Sequence, residues 1–169
     1  MNQSLTTAFV INSSTWNIIS VHAACIEAPW GILLLCGPSN AGKSTLALGA
    51  AAAGASLISD DRVFVSLNPP MRISTLGSPV TFRAGTSHIL PKLATYENSI
   101  EQKIVANPLQ HHKYKIAVDL TQAFGIFRKF TTQAPKAIVV IFRDQLAGQG
   151  KWARLTGHEA LLKIKRADP

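Results

Sequence analysis

Apolar residues occur along this chain in short runs separated by Gly, Pro, Asn and Asp, a spacing that predicts brief strands and few helices. Gly31 to Cys36, bounded by Pro29 and Gly37, has the length of a buried strand. Thr45 to Ala53 is rich in Ala and Leu and predicts a helix closed by Gly54, with Ala55 to Ser59 as the next short strand. Upstream, Ala8 to Asn12 and Trp16 to Cys25 read as strands, the second dominated by β-branched residues. Downstream, Val63 to Leu67 continues as a strand until Asn68-Pro69-Pro70 breaks it. Arg72 to Leu76 predicts a further strand, Gly77-Ser78-Pro79 a turn, and Val80 to Phe82 a strand leading into Arg83-Ala84-Gly85. Thr86 to Leu93 predicts a short helix, and Ala94 to Asn107 is polar and weakly patterned. Lys115 to Leu120 and Ala137 to Asp144 read as strands, the latter apolar enough for a parallel strand covered on both faces. Gln145 to Lys151 reads as a loop and Trp152 to Leu155 as a short strand or turn. Thr156 and Glu159 form a capping box for a last helix with an apolar face from Ala160 to Ile164.

The loop between the Gly31 to Cys36 strand and the helix that follows it carries chemistry. Gly37-Pro38-Ser39-Asn40-Ala41-Gly42-Lys43-Ser44 fits G-x-x-x-x-G-K-[ST], the P-loop that wraps nucleotide phosphates, and it stands in the required order of strand, loop and helix. Gly37 and Gly42 permit backbone angles and close approaches that a Cβ would block. Successive N–H groups from Ser39, Asn40, Ala41 and onward to Thr45 can then face phosphate oxygens at a helix N-terminus. Lys43 supplies a point charge for the outer phosphates and Ser44 a hydroxyl for Mg²⁺. Nucleotide binding, with ATP and Mg²⁺ as the expected ligands, is the reading this motif supports.

Asp60-Asp61, at the end of the second strand, reads two ways. Two carboxylates beside a P-loop can orient Mg²⁺ and accept a proton from an attacking hydroxyl. They can equally form an Asp-rich turn with a capping role. Asp119 and Asp144, each ending a later strand, compete for the Mg²⁺-holding task. Adjacent His111 and His112 face opposite sides of an extended chain, so they do not build a metal site together.

The succession of P-loop, Ala-rich helix, Gly54, short strand, Asp60-Asp61 and Arg62-Val63 closely resembles the carboxy-terminal kinase domain of HPr kinase/phosphorylase over about residues 20 to 66, and loosely beyond. His22 lies at the distance before Gly37 at which that family carries a histidine. The resemblance implies one α/β P-loop domain over residues 1–169, of the HPr-kinase (PEP-carboxykinase-like) type, with a central mixed sheet and flanking helices. It implies an ATP-dependent kinase that transfers the γ-phosphoryl group to a serine of a protein such as HPr or of a peptide. Asp60 is then the general base, Asp61 with Ser44 the Mg²⁺ side, and His22 a support for the base or a phosphate contact. Hexamers are common in that family, so a homo-oligomer is expected. The family's Glu-Ile-Arg-Gly signature is missing, which argues against the reverse, phosphorylase reaction. Ser78 to Gly85 followed by His88 to Leu93 instead resembles a divergent branch that includes small kinases acting on precursors of peptide natural products such as lasso peptides. Arg83 is the residue nominated there for a phosphate contact, because a guanidinium binds phosphate bidentately. A P-loop ATPase or nucleotide sensor, with Asp119 or Asp144 holding Mg²⁺, and a small-molecule kinase are the alternatives, beside a degenerate nucleotide-binding module.

Composition narrows the setting. With 47% hydrophobic and 15% charged residues, the 169-residue chain is a folded domain rather than a disordered one. No apolar run approaches a bilayer span, and no basic region precedes an apolar core at the N-terminus, so the expectation is a cytoplasmic protein with no membrane partner. Cys25 and Cys36 are too few and too widely spaced for a disulfide framework or a CxxC site. The net charge of +8 suits an anionic partner, and the lack of any run of five basic residues disfavours nucleic acid.

Overall fold

The computed structural model describes residues 17–76, 80–98, 115–118, 130–142 and 153–167. The expected strand Ala8 to Asn12, the turn Gly77 to Pro79, His111-His112, Asp119, Asp144 and the loop Gln145 to Lys151 lie outside the described residues. Within them the strands are β1 (Ile18–Val21), β2 (Ala23–Ala28), β3 (Gly31–Cys36), β4 (Ser56–Ser59), β5 (Val63–Ser66), β6 (Arg72–Ser74), β7 (Val80–Arg83), β8 (Lys115–Val118), β9 (Phe130–Thr131) and β10 (Pro135–Val140). The helices are α1 (Lys43–Ala52) and α2 (Gly157–Ala167), with 3₁₀ turns at Thr86–His88 and Pro91–Leu93.

The described strands form three sheets, one of them mixed. The mixed sheet has the order β10-β3-β2-β4, parallel between β10 and β3 and antiparallel elsewhere. An antiparallel sheet has the order β1-β5-β6-β9, and β7 pairs with β8 in a two-stranded ribbon. Both faces of β2 and β3 are covered, which is why β3 reads as a continuous apolar run. Successive side chains of a strand point to opposite faces. Leu35, together with Ala24 and Ile26 of β2, therefore packs with Ala47, Leu48 and Ala51 of α1 and with Val80, Phe82 and Ile116 of the ribbon. Their neighbours Ile32, Leu34, Cys36, Ala23 and Cys25 face the antiparallel sheet and meet Val63, Val65 and Ile73.

The expected strand from Trp16 to Cys25 breaks at His22 into β1, which belongs to the antiparallel sheet, and β2, which belongs to the mixed one. The chain passes between the same two sheets a second time, in the opposite direction, from β4 through Asp60, Asp61 and Arg62 to β5. These two crossings are joined by side chains: His22 to Asp61 and Arg62 to Ser20. A strand reading based on β-branched content runs through His22 because a change of sheet leaves no mark on propensity.

Three further expectations change. Thr86 to Leu93 forms two 3₁₀ turns rather than one helix, because Pro91 supplies no N–H and disfavours the helical region for Leu90, whose φ is -125° and ψ 84°. The chain then runs helical at 94–98, although that stretch has weak apolar patterning. β10 does lie parallel to β3, yet its residues Lys136 to Ile138 are exposed rather than covered. The capping box forms as expected: Thr156 N–H donates to Glu159 Oε2 at 2.8 Å, and Glu159 N–H donates to Thr156 Oγ1 at 3.3 Å.

Leu48 is fully buried under the mixed sheet, whereas Leu46 on the same helix is 51% exposed. Leu48→Ala should therefore cost about 2 to 5 kcal/mol of stability in a denaturant titration, and Leu46→Ala less than about 0.5 kcal/mol. Burial, reinforced by the nearby Glu27 charge, pushes the Cys25 thiol up to about 12. Cys25 and Cys36 are both buried, so neither should react with a disulfide reagent at pH 8 until denaturant is added, when both titrate. Hydrogen bonds from the Thr156 backbone and hydroxyl hold the Glu159 carboxyl below its ordinary range. A depressed carboxyl adds stability above its unfolded pKa and loses it as pH falls through the folded one. Helicity of α2 should therefore drop on acidification through and below the usual carboxylate range, and Glu159→Gln should flatten that response, as read by amide exchange at 157–161.

Candidate active site

The loop leaving β3 is shaped by a close approach and by two left-handed positions. Ile141 N–H donates to Cys36 O at 2.8 Å, which carries the β3–β10 pairing to the very start of the loop. A Cβ on Gly37 (φ +149°) would stand 2.4 Å from Ile141 O, so the loop starts where only glycine fits. Gly42 (φ +103°) caps α1 and has open space around it, so its glycine answers to backbone angle rather than crowding. Asn40 also lies in the left-handed region, with φ 67°. Helix α1 then begins at Lys43 with neither a side-chain cap nor an acidic residue in its first turn. Its N-terminal partial charge is not offset by a protein carboxylate on that turn.

Lys43 is buried, and its Nζ donates to Gly37 O at 2.7 Å and Pro38 O at 3.1 Å, folding the side chain back across the loop. Ser44 Oγ lies 3.5 Å from the backbone carbonyl of Asp60, which brings the start of α1 to the end of β4. Ser59 Oγ donates to Arg62 O at 2.8 Å and accepts from Asp61 N–H at 3.4 Å, so the paired aspartates do sit in a side-chain-braced turn.

The two aspartates face different surroundings. Asp60 is 6% exposed, and its Oδ2 accepts from Thr81 N–H at 3.2 Å, tying β4 to β7. Asp61 is 72% exposed at its side chain and stands 3.0 Å from His22 Nε2, which is itself 14% exposed. A cleft of about 380 Å³ opens beside them. Its walls are Ser39, Asn40 and Gly42 of the loop, Lys43 to Thr45 of α1, His22 and Asp61 of the two sheet crossings, and Thr81, Phe82, Arg83 and Thr86 of β7 and the turn after it.

The structure thus gathers His22, Ser39, Asn40, Gly42, Lys43, Ser44, Thr45, Asp61 and Arg83 around one cleft. Gly37, Ala41 and Asp60 are not among its lining residues: Gly37 is committed to the contact with Ile141, and the Asp60 carboxylate to Thr81. Sequence reasoning missed Thr81 and Thr86. Thr86 Oγ1 donates to Arg83 O at 2.6 Å just after Gly85, which has φ 87°, and that left-handed glycine was the available signal. The oxygen donors here, Ser44 Oγ, the Asp60 carbonyl and the Asp61 carboxylate, are of the hard type that suits Mg²⁺. Among the described residues no group of three His, Cys, Asp or Glu forms a metal cage, and no helix is long and apolar enough to cross a membrane.

No family model matches the chain, and no curated protein matches it. Among solved structures, it is similar to the Hpr(Ser) kinase/phosphatase from Coxiella burnetii, with a TM-score of 0.51 and 14% identity over 78% of this chain and 70% of that one. At that identity the likeness is one of fold: a mixed α/β arrangement of multi-stranded sheets with flanking helices, distantly like that of a kinase.

Proposed function

We propose that the cleft binds ATP with Mg²⁺ and that the chain transfers the γ-phosphoryl group to a hydroxyl of a protein or peptide. One observation carries this reading: the P-loop residues Lys43 and Ser44 share a single cleft with an accessible carboxylate, Asp61, that a histidine holds in place. Backbone N–H groups of the loop and the α1 terminus suit phosphate oxygens, and Lys43 stands ready to exchange loop carbonyls for them. Ser44, with Asp60 or Asp61, would hold Mg²⁺ jointly with the nucleotide, as that ion prefers few protein ligands, and it would supply charge neutralisation for the transferred group.

The geometry favours exchanging the roles that the resemblance assigns to the two aspartates. Asp61 is exposed to the cleft, where an incoming hydroxyl can reach it, and His22 orients its carboxylate. Asp61 accepts the hydroxyl proton as that oxygen bonds to the γ-phosphorus and the bond to the β–γ bridging oxygen breaks, releasing ADP. Asp60, buried and bonded to Thr81 N–H with its carbonyl beside Ser44, suits the Mg²⁺ side. Serine of a protein or peptide is the acceptor class supported by the likeness to an Hpr(Ser) kinase/phosphatase and by the resemblance over residues 20 to 66. The absent Glu-Ile-Arg-Gly signature supports the forward reaction alone.

The test is incubation of the full chain with Mg²⁺, γ-labelled ATP and a panel of HPr-like proteins and serine-containing precursor peptides. Lys43→Ala should weaken ATP binding at least about tenfold. Asp61→Asn should lower transfer by about 10²- to 10⁴-fold while the ATP dissociation constant moves far less. Transfer lost in Asp60→Asn but intact in Asp61→Asn would restore the original roles. Free phosphate released with every acceptor unlabelled would replace the kinase reading with an ATPase.

A further inference from the structure

Arg83, the last residue of β7, and Asn40, in the β3–α1 loop, meet across the cleft they both line. Arg83 Nη2 donates to Asn40 Oδ1 at 2.6 Å, although the two residues are 43 positions apart in sequence. Both ends of this contact are set by backbone structure. Asn40 holds a left-handed φ of 67°, which asparagine tolerates better than most residues. The Arg83 carbonyl accepts from Thr86 Oγ1, its strand is in register with β8 at Lys115, and two residues earlier Thr81 N–H is bound to Asp60. The segment that follows is braced too, because the backbone N–H and hydroxyl of Ser87 both donate to the buried Glu97 carboxylate.

An exposed arginine on a fixed strand end would ordinarily sample many rotamers. Here an amide oxygen holds one Nη and adds no charge, so the guanidinium is oriented but not neutralised. A carboxylate in that place would have consumed the positive charge that an anionic ligand needs. We infer that Asn40 is a positioning residue that holds Arg83 across the cleft so that its guanidinium meets the phosphate oxygens of the bound nucleotide, opposite Lys43 and the loop. The inference rests on the nucleotide-binding reading above and extends it to a clasp with two arms.

A double-mutant cycle on the full chain tests it, with MgATP binding measured by titration calorimetry and melting temperature as the folding control. Asn40→Gly deletes the amide oxygen while keeping a residue at ease with positive φ, so the loop backbone is retained. That variant should bind MgATP about tenfold more weakly, and Arg83→Ala at least as much, with melting temperatures unchanged. The double variant should bind within about twofold of Arg83→Ala alone, because Asn40 acts only through the guanidinium. Two losses that multiply, or an Asn40→Gly or Arg83→Ala protein that binds like the parent while Lys43→Ala does not bind, would overturn the clasp and leave the nucleotide site standing. A parent protein that does not bind MgATP would overturn both.

Discussion

The site depends on a constraint of chain path: of the three described crossings between the antiparallel and mixed sheets, two fall in one place. The first is His22, between β1 and β2, and the second is Asp60 to Arg62, between β4 and β5. Crossings expose backbone that a strand ladder no longer satisfies, so side chains and turns must brace it. The Ser59 hydroxyl does so for Asp61 and Arg62, while Arg62 to Ser20 and His22 to Asp61 tie the crossings side chain to side chain. Two of the titratable groups of the cleft, His22 and Asp61, are thus drawn from residues that also hold the two sheets together at their junction.

The second determinant is the parallel pairing of β10 with β3. It brings Ile141 against Gly37, and with no room for a side chain there the loop leaves the strand at a glycine. From that point the left-handed positions at Asn40 and Gly42 turn the chain into α1, whose Ala47, Leu48 and Ala51 anchor it on the mixed sheet. The helix is short, and isolated helices of its length are marginal in water. Its N-terminus is therefore held in place by the core beneath it rather than by intrinsic propensity, and the cleft inherits that rigidity.

The cleft brings cationic side chains and one carboxylate together. Lys43 Nζ donates to two loop carbonyls, and Arg83 donates to a neutral amide. Among the described residues that line the cleft, Asp61 is the one carboxylate, and it is turned to His22. Neutral partners orient a cation while leaving its field available, whereas a carboxylate partner would cancel much of it. With 17 Lys and Arg against 9 Asp and Glu in the chain, the background field is also positive.

Strand β3, helix α1 with Gly54 behind it, and the capping box at Thr156 were legible in the sequence because each is set by neighbours a few residues away: apolar run, helix-forming composition, and hydroxyl with carboxylate three apart. The loop motif was legible as a string between that strand and that helix, and Gly42 answers to local backbone angle, whereas the need for Gly37 comes from Ile141, far along the chain. The break at His22, the exposed edge of β10 and the 3₁₀ turns after Arg83 were harder to read, because propensity does not register which sheet a strand joins or which face stays uncovered. Asp60 and Asp61 make the difference clearest. Their sequence says only that two carboxylates are adjacent; the Thr81 amide and the depth of burial tie Asp60 to β7, while Asp61 is exposed and lies against His22 in the cleft. Those partners lie 21 and 39 positions away, and only the tertiary structure brings contacts of that range together.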